Sequence, residues 1–406
     1  MSAVLRTGLW PFAAGIAAAV LLSAPVSAAD AAPPAAALVK GNTAFAVAVY
    51  GELGKADGNV FFSPFSVSTA LGMAFAGARE DTARQMQDVL GLPSDQAPVP
   101  SGLSALGRDI SAAADSAGEH FMIANGLCLT RSRGVVSDEY KALLRSHFDA
   151  ELFEGGLEQI NSWVRDKTDG KIEKILDELD RLSVCVLLNA AYFRGTWASP
   201  FDPDQTRAAP FSIAPGRTAT VPFMSQNTSL PIIEQPGLRI AALPYEGGRL
   251  ALVIVLPDDV GGLAAIERNL TAARVQEWLG ELTRAPQPAL QITIPKFVLR
   301  GEYDLIPPCR SLGMRDAFQA DRANFSGIDG GANSLYVSQA RHRAFVELDE
   351  RGTEAAAATA IELSLKGAPP RPVRPFRADH PFLFMIVDRP TGSVLFMGRL
   401  VDPSAG

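Results

Sequence analysis

The spacing of hydrophobic residues indicates helices in the first part of the chain. Apolar residues recur there every three or four positions, which places them on one side of a helix. Asp81 is the predicted N-terminal cap of the second of these helices. The segments with this spacing are residues 66–77, 82–90 and 160–176.

The later part of the chain has the spacing of β-strands instead. Short runs of apolar and β-branched residues are bounded there by Gly, Pro, Asn or Asp, as in sheet proteins. Because helices come first and strands follow, the order predicts an α+β fold with a mostly antiparallel sheet. The clearest strand segments are residues 184–188, 250–256 and 344–348.

One segment, from Thr353 to Lys366, alternates without exception. Its odd-numbered residues are all small or apolar, and its even-numbered residues carry every charge. Since side chains alternate between the two faces of a strand, this pattern predicts a strand with one buried face. The segment is 14 residues long, whereas a typical strand has about 5–6.

The composition of this segment does not suit a permanent strand. It is rich in alanine, which favours helices and is a poor strand former. Gly352 precedes it and can act as a swivel, while Gly367 and prolines at 369, 370, 372 and 375 follow it and stop both helix and sheet. An exposed alanine-rich helix or surface loop is the alternative. A segment that is a strand in only one of two states suits a conformational switch.

The first 28 residues have the pattern of a secretory signal peptide. Arg6 precedes an apolar stretch over residues 8–22, and residues 26–28 supply the small-residue cleavage pattern. Residues 29–41 are an Ala/Pro-rich lead-in, and 42–406 form one domain without a low-complexity linker or an internal repeat. We therefore expect export to the extracellular space or a periplasm, and no association with a membrane.

Composition and charge disfavour some classes of binding partner. The net charge of −7 and the lack of a basic run with interleaved aromatics argue against nucleic acid and against a heparin-like cofactor. The three cysteines, Cys128, Cys185 and Cys309, are odd in number and far apart. At most one disulfide could form, and three buried free thiols are the alternative.

Blocks of residues along nearly the whole chain resemble the serpin family of serine protease inhibitors. Residues 350–360, ERGTEAAAATA, closely resemble the hinge of inhibitory serpins. The resemblance covers about residues 42–403. The other matching blocks are NVFFSPFS (59–66), INSWV (160–164), KTDGKI (167–172), NAAYFRGTW (189–197), LPY (243–245), IPKF (294–297), DAF (316–318), FSGI (325–328), DHPFLF (379–384) and FMGR (396–399).

The resemblance implies a serpin fold with a large central sheet, two smaller sheets and about eight or nine helices. It also implies a reactive loop, residues 350–375, that a target protease attacks and holds as an acyl-enzyme. The freed loop then inserts into the central sheet and distorts the protease. The hinge of that loop comprises Glu350, Gly352, Thr353, Glu354, Ala355, Ala356, Ala357, Ala358, Thr359 and Ala360.

The bait bond is predicted between Lys366 and Gly367. The usual serpin hinge length, counted from Glu350, ends at Lys366, and the alternation ends there too. Arg371 and Arg374 are also basic, but each precedes a proline, and proteases that cut after Lys or Arg rarely cut before Pro. A trypsin-like target is therefore favoured. The alternative is a chymotrypsin- or elastase-like enzyme that cuts after Leu365 or Leu363.

The resemblance also implies roles for residues outside the loop. Ser63, Ser66, Asn189 and His342 match a hydrogen-bonded cluster beneath the centre of the main sheet, which opens for insertion. Trp197, Lys296 and Glu350 match residues where the loop enters the sheet, with a Lys296–Glu350 ion pair as a hypothesis. Pro307 and Pro308 fall where relatives begin a short helix, and we expect that turn to be disrupted.

Two other classes of function compete with inhibition. An enzyme is disfavoured because the four histidines lie in no nucleophile or metal-ligand motif, and no phosphate-binding glycine loop is present. A non-inhibitory serpin acting as a carrier or chaperone is the stronger rival, but such relatives tend to have bulky, charged or proline residues in the hinge. We expect a monomer that needs no metal or cofactor and forms a covalent complex with a serine protease.

Overall fold

The computed structural model describes residues 35–130, 136–148, 150–180, 183, 185–330, 335–353 and 373–405. These residues contain ten α-helices and sixteen strands, and their α+β arrangement confirms the predicted fold class. The helices are α1 (Ala35–Leu53), α2 (Pro64–Gly77), α3 (Glu80–Leu90), α4 (Val99–Ser116), α5 (Asp138–His147), α6 (Leu157–Lys167), α7 (Leu263–Arg268), α8 (Ala272–Leu282), α9 (Ile306–Leu312) and α10 (Ser326–Asp329).

The strands form three sheets. Most of them lie in the second half of the chain, as the hydrophobic spacing predicted. They are β1 (Val60–Phe62), β2 (His120–Leu129), β3 (Glu151–Glu154), β4 (Cys185–Thr196), β5 (Arg207–Ala214), β6 (Arg217–Ser229), β7 (Ile232–Gln235), β8 (Leu238–Pro244), β9 (Leu250–Pro257), β10 (Ala289–Pro295), β11 (Phe297–Asp304), β12 (Val337–Leu348), β13 (Gly352–Thr353), β14 (Arg374–Arg377), β15 (Phe382–Asp388) and β16 (Ser393–Leu400).

The central sheet has the strand order β11-β12-β13-β4-β2-β3. Its neighbours are antiparallel except for the pairs β2–β3 and β4–β12, which are parallel. Strands β4 and β12 have 12 residues each. We call the end at which both of them finish, near Thr196 and Leu348, the hinge end.

The other two sheets surround the hinge end and the back of the central sheet. An antiparallel sheet with the order β1-β16-β15-β9-β8-β7 also has six strands, so only the third sheet is smaller than the central one. That third sheet has the order β14-β10-β6-β5, and β14 pairs with β10 in parallel. Strand β14 is the first element after the part of the reactive loop that lies outside the described residues.

Two apolar clusters hold the central sheet from its two faces. The larger cluster joins its back face to α1, α2, α4 and the second six-stranded sheet. The smaller cluster lies on its front face, where Ile160, Trp163 and Val164 of α6 pack on β2 and β4. Among the described residues, the apolar cover of the front face consists of α6 and the chain that follows that helix.

Three of the expected helix boundaries were wrong. Helix α3 begins at Glu80 and its N-cap is Arg79, with no side-chain hydrogen bond, so Asp81 is not the cap. Helix α2 begins at Pro64 rather than at residue 66, because the Ser63 hydroxyl caps it by accepting a hydrogen bond from the Ser66 N–H (3.2 Å).

Helix α6 ends at Lys167, nine residues before the predicted end. The Thr168 hydroxyl donates to the Val164 carbonyl oxygen (2.8 Å), and Asp169 has a positive φ of 49°. A left-handed residue stops a helix, and the apolar residues that follow at helical spacing are buried without forming one. The hydrophobic pattern correctly indicated which residues are buried, but it wrongly indicated that they lie in a helix.

The expected disruption at Pro307 and Pro308 was also wrong. Both prolines lie in the first turn of α9, which runs from Ile306 to Leu312. The backbone nitrogens of a first turn have no partner inside the helix, so proline loses nothing there.

Candidate functional site

The junction between β4 and β12 is the candidate site. The two strands pair directly and in parallel from Cys185 opposite Val337 to Tyr192 opposite Phe345. Beyond that point, towards the hinge end, they separate to admit a third strand. A parallel pair can accept one antiparallel strand between its members, because both new pairs are then antiparallel.

Strand β13 lies in the mouth of this junction. Gly352 pairs with Thr196, and Thr353 pairs with both Gly195 and Leu348. Thr353 is fully buried, and its hydroxyl shares a 2.8 Å hydrogen bond with the hydroxyl of Tyr245 from the back face. Gly352 and Thr353, the last described residues before position 354, are thus already part of the sheet.

Gly352 cannot be replaced by another residue without a shift of the backbone. Its φ is +155°, and a Cβ atom at this position would lie 1.9 Å from the carbonyl oxygen of Gly195. A glycine is therefore required for β13 to approach β4 this closely.

The residues expected where the loop enters the sheet surround β13. The indole N–H of Trp197 donates to the Asp349 carbonyl oxygen (2.9 Å), and its ring stacks on Tyr245 at 4.7 Å between centroids. The Glu350 carboxylate accepts hydrogen bonds from Lys296 Nζ and from the Thr206 hydroxyl, both at 2.6 Å.

The Lys296–Glu350 ion pair is more buried than a surface pair. Side-chain exposure is 9% for Glu350 and 34% for Lys296. Burial of Glu350 opposes ionisation, but the hydrogen bonds from Lys296 and Thr206 outweigh it and hold the pKa of the carboxyl below its ordinary value. The pair therefore fixes the backbone directly before β13.

The four residues expected beneath the sheet centre are brought together and fully buried. His342 Nε2 accepts from the Ser63 backbone N–H (3.0 Å), so the ring proton is on Nδ1, which donates to Asn189 Oδ1 (2.6 Å). Asn189 Nδ2 donates to the Ser66 hydroxyl (2.6 Å). The bond between Asn189 and His342 crosses the β4–β12 junction directly.

His342 is neutral at physiological pH. Burial lowers the pKa of its imidazole to about 3. A neutral ring can accept at one nitrogen and donate at the other, which is the arrangement that the cluster uses.

Sequence reasoning missed three residues of the site. Asn125 Oδ1 accepts a further bond from Asn189 Nδ2 (2.7 Å), and Asn125 lies opposite Asn189 in the β2–β4 register, which the sequence alone does not reveal. Tyr245 lies in the LPY block that resembles serpins, but the resemblance implied no role for it. Nothing in the sequence around Thr206 indicates its bond to Glu350.

Comparison with known proteins identifies the family. The family model for serpins, serine protease inhibitors, matches residues 40–403. This chain belongs to the serpin family.

Relatives of this serpin differ in their named activities. Leukocyte elastase inhibitor of Bos taurus is 38% identical over 89% of this chain and 98% of its own length. An uncharacterised serpin-like protein of Thermococcus kodakarensis is 37% identical over 91% of this chain and 86% of its own. The solved structure of human thyroxine-binding globulin, complexed with thyroxine, has a TM-score of 0.82 at 26% identity, covering 91% of this chain and 100% of that one.

Several residues predicted for the loop of this serpin lie outside the described residues. These are the rest of the hinge, the bait bond and the two alternative cleavage positions, namely Glu354, Ala355, Ala356, Ala357, Ala358, Thr359, Ala360, Leu363, Leu365, Lys366 and Gly367. The predicted signal peptide and residues 29–34 of the lead-in also lie outside them, whereas residues 35–41 belong to α1.

The three cysteines are free and buried. Cys128 pairs with Val186 across the β2–β4 ladder, while Cys185 pairs with Leu129. Cys128 packs in the front cluster and Cys185 in the back cluster, so the two thiols point to opposite faces of the sheet and do not form a disulfide.

The described part of this serpin contains no group of three or more His, Cys, Asp or Glu residues that could hold a metal ion. Within the same residues, no helix has the length and apolar character needed to cross a membrane.

Proposed function

We propose that this serpin is an exported suicide-type inhibitor of serine endopeptidases, which traps its target by inserting residues 354–366 between β4 and β12. The observation that carries the proposal is the position of β13, whose residues already pair with both strands at the hinge end. A strand that continued from Thr353 would enter the junction without a change of direction. Insertion then requires only that β4 and β12 part along the rest of their length.

Continuing the pairing of β13 gives the register of the inserted form. Each residue after Thr353 moves one position down β4 from Gly195 and one down β12 from Leu348. Because each strand has 12 residues, β4 then offers partners for residues 352–363 and β12 for residues 353–364. This span nearly equals the alternating segment, which ends at Lys366.

The same register gives the buried cluster a part in opening. Thr359 would fall between Asn189 and His342, which are paired with each other in the native form. Their hydrogen bond must then break, and the threonine hydroxyl can replace it on either side. The cluster would act as a clasp at the middle of the junction.

The two faces of the inserted strand would meet suitable surroundings. Thr353 faces the back of the sheet, where its hydroxyl contacts Tyr245, so the odd-numbered residues would face the apolar core. The even-numbered residues, with all the charges, would face the front. This agrees with the small or apolar character of every odd-numbered residue.

Insertion supplies the driving force for trapping. It replaces one parallel pair by two antiparallel pairs, which are slightly more stable per residue. About a dozen additional backbone hydrogen bonds, at roughly 1 kcal/mol each, lower the free energy by on the order of 10 kcal/mol. The native form would therefore be metastable until the loop is cut.

The target protease would be trapped after acylation and before deacylation. Its serine attacks the carbonyl carbon of Lys366, and the amine of Gly367 leaves with a proton, which gives an ester between protease and inhibitor. Insertion then drags the ester-linked protease along the sheet. Deacylation depends on a closely held geometry of the catalytic triad and oxyanion hole, so distortion of the protease stops it.

We favour a trypsin-like target because Lys366 ends the alternating segment and Arg371 and Arg374 precede prolines. The second candidate is a chymotrypsin- or elastase-like target that cuts after Leu365 or Leu363. A relative named leukocyte elastase inhibitor supports keeping this candidate. The two differ only in the bond attacked.

Incubation with trypsin tests the inhibitor and the bond together. We expect a covalent complex that survives a denaturing gel, and a released C-terminal peptide that starts at Gly367 by mass spectrometry. In parallel incubations with chymotrypsin or elastase, a covalent complex and a peptide that starts at Lys366 or Ser364 would instead assign the bond to the alternative enzymes. Clean cleavage with no covalent complex, for trypsin, chymotrypsin and elastase alike, would contradict inhibition.

A carrier role is the rival proposal, since a structural neighbour is thyroxine-binding globulin in complex with its ligand. The small residues of the hinge argue for inhibition, because a carrier has no need of an insertable strand.

Export is proposed from the pattern of residues 1–28. Protein sequencing of the mature chain should begin at Ala29, and intact Met1 on the exported protein would contradict signal cleavage.

A further inference from the structure

Asn161 on α6 ties down the chain that follows the helix. Its Oδ1 accepts hydrogen bonds from the backbone N–H groups of Ile175 (2.9 Å) and Leu176 (3.1 Å), and its Nδ2 donates to the Leu176 carbonyl oxygen (2.8 Å). We call residues 168–180, which contain neither helix nor strand, the crossing segment. One side chain therefore fixes the crossing segment to α6 by three hydrogen bonds.

The crossing segment has apolar contacts with only one side of the β4–β12 junction. Its buried side chains, Ile172, Ile175 and Leu176, join the front cluster with α6, β2 and β4. That cluster contains no residue of β11 or β12 among those described. The segment is thus packed against the β2–β4 half of the sheet.

Towards the other half, the crossing segment leaves open space. A hollow of about 420 Å³ lies between residues 170–174 and the front of β11 and β12, around Arg343 and Phe345. A second hollow, of about 360 Å³, separates residues 175–178 from the same strands around Arg341. The front of β12 therefore has no apolar contact with the crossing segment, and only the charge of Asp177 interacts with Arg341 and Arg343 across the second hollow, among the interactions described for this segment.

We propose that Asn161 is a positioning residue for loop insertion, which holds the crossing segment on the β2–β4 half and so keeps the front of β12 clear. This inference rests on the proposed function. Insertion moves β4 and β12 apart by about 4.8 Å, the width of one strand. A segment packed on both halves would have to break its contacts at that step, whereas a segment tied to α6 moves as one body with β4.

Loss of the Asn161 side chain would release the crossing segment. The backbone N–H groups of Ile175 and Leu176 would lose their partners, and buried donors without partners are costly. The segment would then move to satisfy them, and its apolar side chains could settle into the hollows against Phe345. Such contacts would join the crossing segment to both halves of the sheet, and they would resist the separation of β4 and β12.

The test is the rate of insertion after the loop is cut by thermolysin, a metalloprotease that forms no acyl-enzyme. Tryptophan fluorescence follows the rate, since Trp197 packs at the mouth of the junction, and the melting temperature of the product confirms insertion. We expect Asn161→Ala to insert about three- to tenfold more slowly than wild type, a change that corresponds to about one hydrogen bond in the opening step. An equal or faster rate for Asn161→Ala would overturn the inference.

A matched control lies on the same helix. Gln159 Oε1 accepts from the Gly156 N–H (2.9 Å) and caps the start of α6, and this bond does not involve the crossing segment. Gln159→Ala should weaken α6 but insert within about twofold of wild type, and equal slowing by both variants would reduce Asn161 to a structural role.

A conservative variant guards against a folding defect. If Asn161→Ala does not fold, Asn161→Asp keeps both accepted bonds and should show a smaller slowing; a wild-type rate there would contradict the inference. A wild-type protein that gains no stability after cutting would instead overturn the proposed function itself.

Discussion

Two buried carboxylates at the hinge end lie in opposite electrostatic environments. Glu350 has Lys296 and Thr206 as partners, and its pKa is lowered. Glu119 is 1% exposed, and only its Oε1 accepts a hydrogen bond, from the Gly247 N–H (2.9 Å). Burial, assisted by the charge of Glu246, raises the pKa of Glu119. Glu350 therefore stabilises the native form at this end, whereas the ionised carboxylate of Glu119 destabilises it.

Reversing the charge at residue 350 should release β13. Glu350→Lys places two ammonium groups together in a half-buried site and should cost about 2 kcal/mol, between the values for exposed and buried pairs. With the mouth of the junction loosened, the loop of a second molecule can enter it. We expect polymers on native gels after mild heating.

The control for this variant is Glu52→Lys, which reverses a charge paired with Lys55 on α1, far from the junction. It should remain monomeric under the same heating. Monomers from both variants would show that the Glu350 pair does not latch the mouth of the junction.

Glu119 gives a prediction that depends on pH. A carboxyl whose pKa is raised in the folded state stabilises that state below its unfolded pKa, and this contribution is lost as pH rises through the folded pKa. Glu119→Gln removes the ionised form, so the variant should melt higher than wild type at pH 7.5 and lose that advantage near pH 4. Glu139→Gln, which removes an exposed carboxylate of α5, controls for net charge. A difference between Glu119→Gln and wild type that does not change with pH would exclude this account.

At the scale of elements, local patterns predicted the strands better than the helix ends. Alternation and β-branched runs located parts of β4, β9 and β12, because burial on a sheet leaves a period of two in the sequence. The end of α6 was missed because Ile172, Ile175 and Leu176 belong to a non-helical segment. Their buried side chains nevertheless recur at a spacing that a helix would also produce. Burial can be predicted from such a pattern, but the backbone conformation of the segment depends on the residues against which it packs.

The pairing of elements could not be predicted from the chain alone. Strands β4 and β12 are about 150 residues apart in sequence, and no local signal records that they are parallel neighbours. The same holds for the bond of Thr206 to Glu350, which joins two distant segments. The family resemblance supplied the cluster of Ser63, Ser66, Asn189 and His342 because it carries long-range pairing that spacing does not.

At the scale of the whole molecule, the central sheet is held differently on its two faces. The back face joins one continuous core with several helices and the second six-stranded sheet, whereas the apolar cover of the front face, in the part of the chain that the structure describes, is α6 and the crossing segment. Under the proposed function the sheet must widen by one strand, which needs a covering that can move with one half. The front covering meets this need, since its apolar contacts end at β4.

The central claim is that the native sheet is metastable and gains a strand when the loop is cut. Its most direct test is the melting temperature before and after complete cleavage of the loop. About a dozen new hydrogen bonds at roughly 1 kcal/mol each, with about 2 °C per kcal/mol in a domain of this size, predict a rise of at least about 20 °C. A cleaved protein that melts at the same temperature as the native one, or below it, would contradict the account.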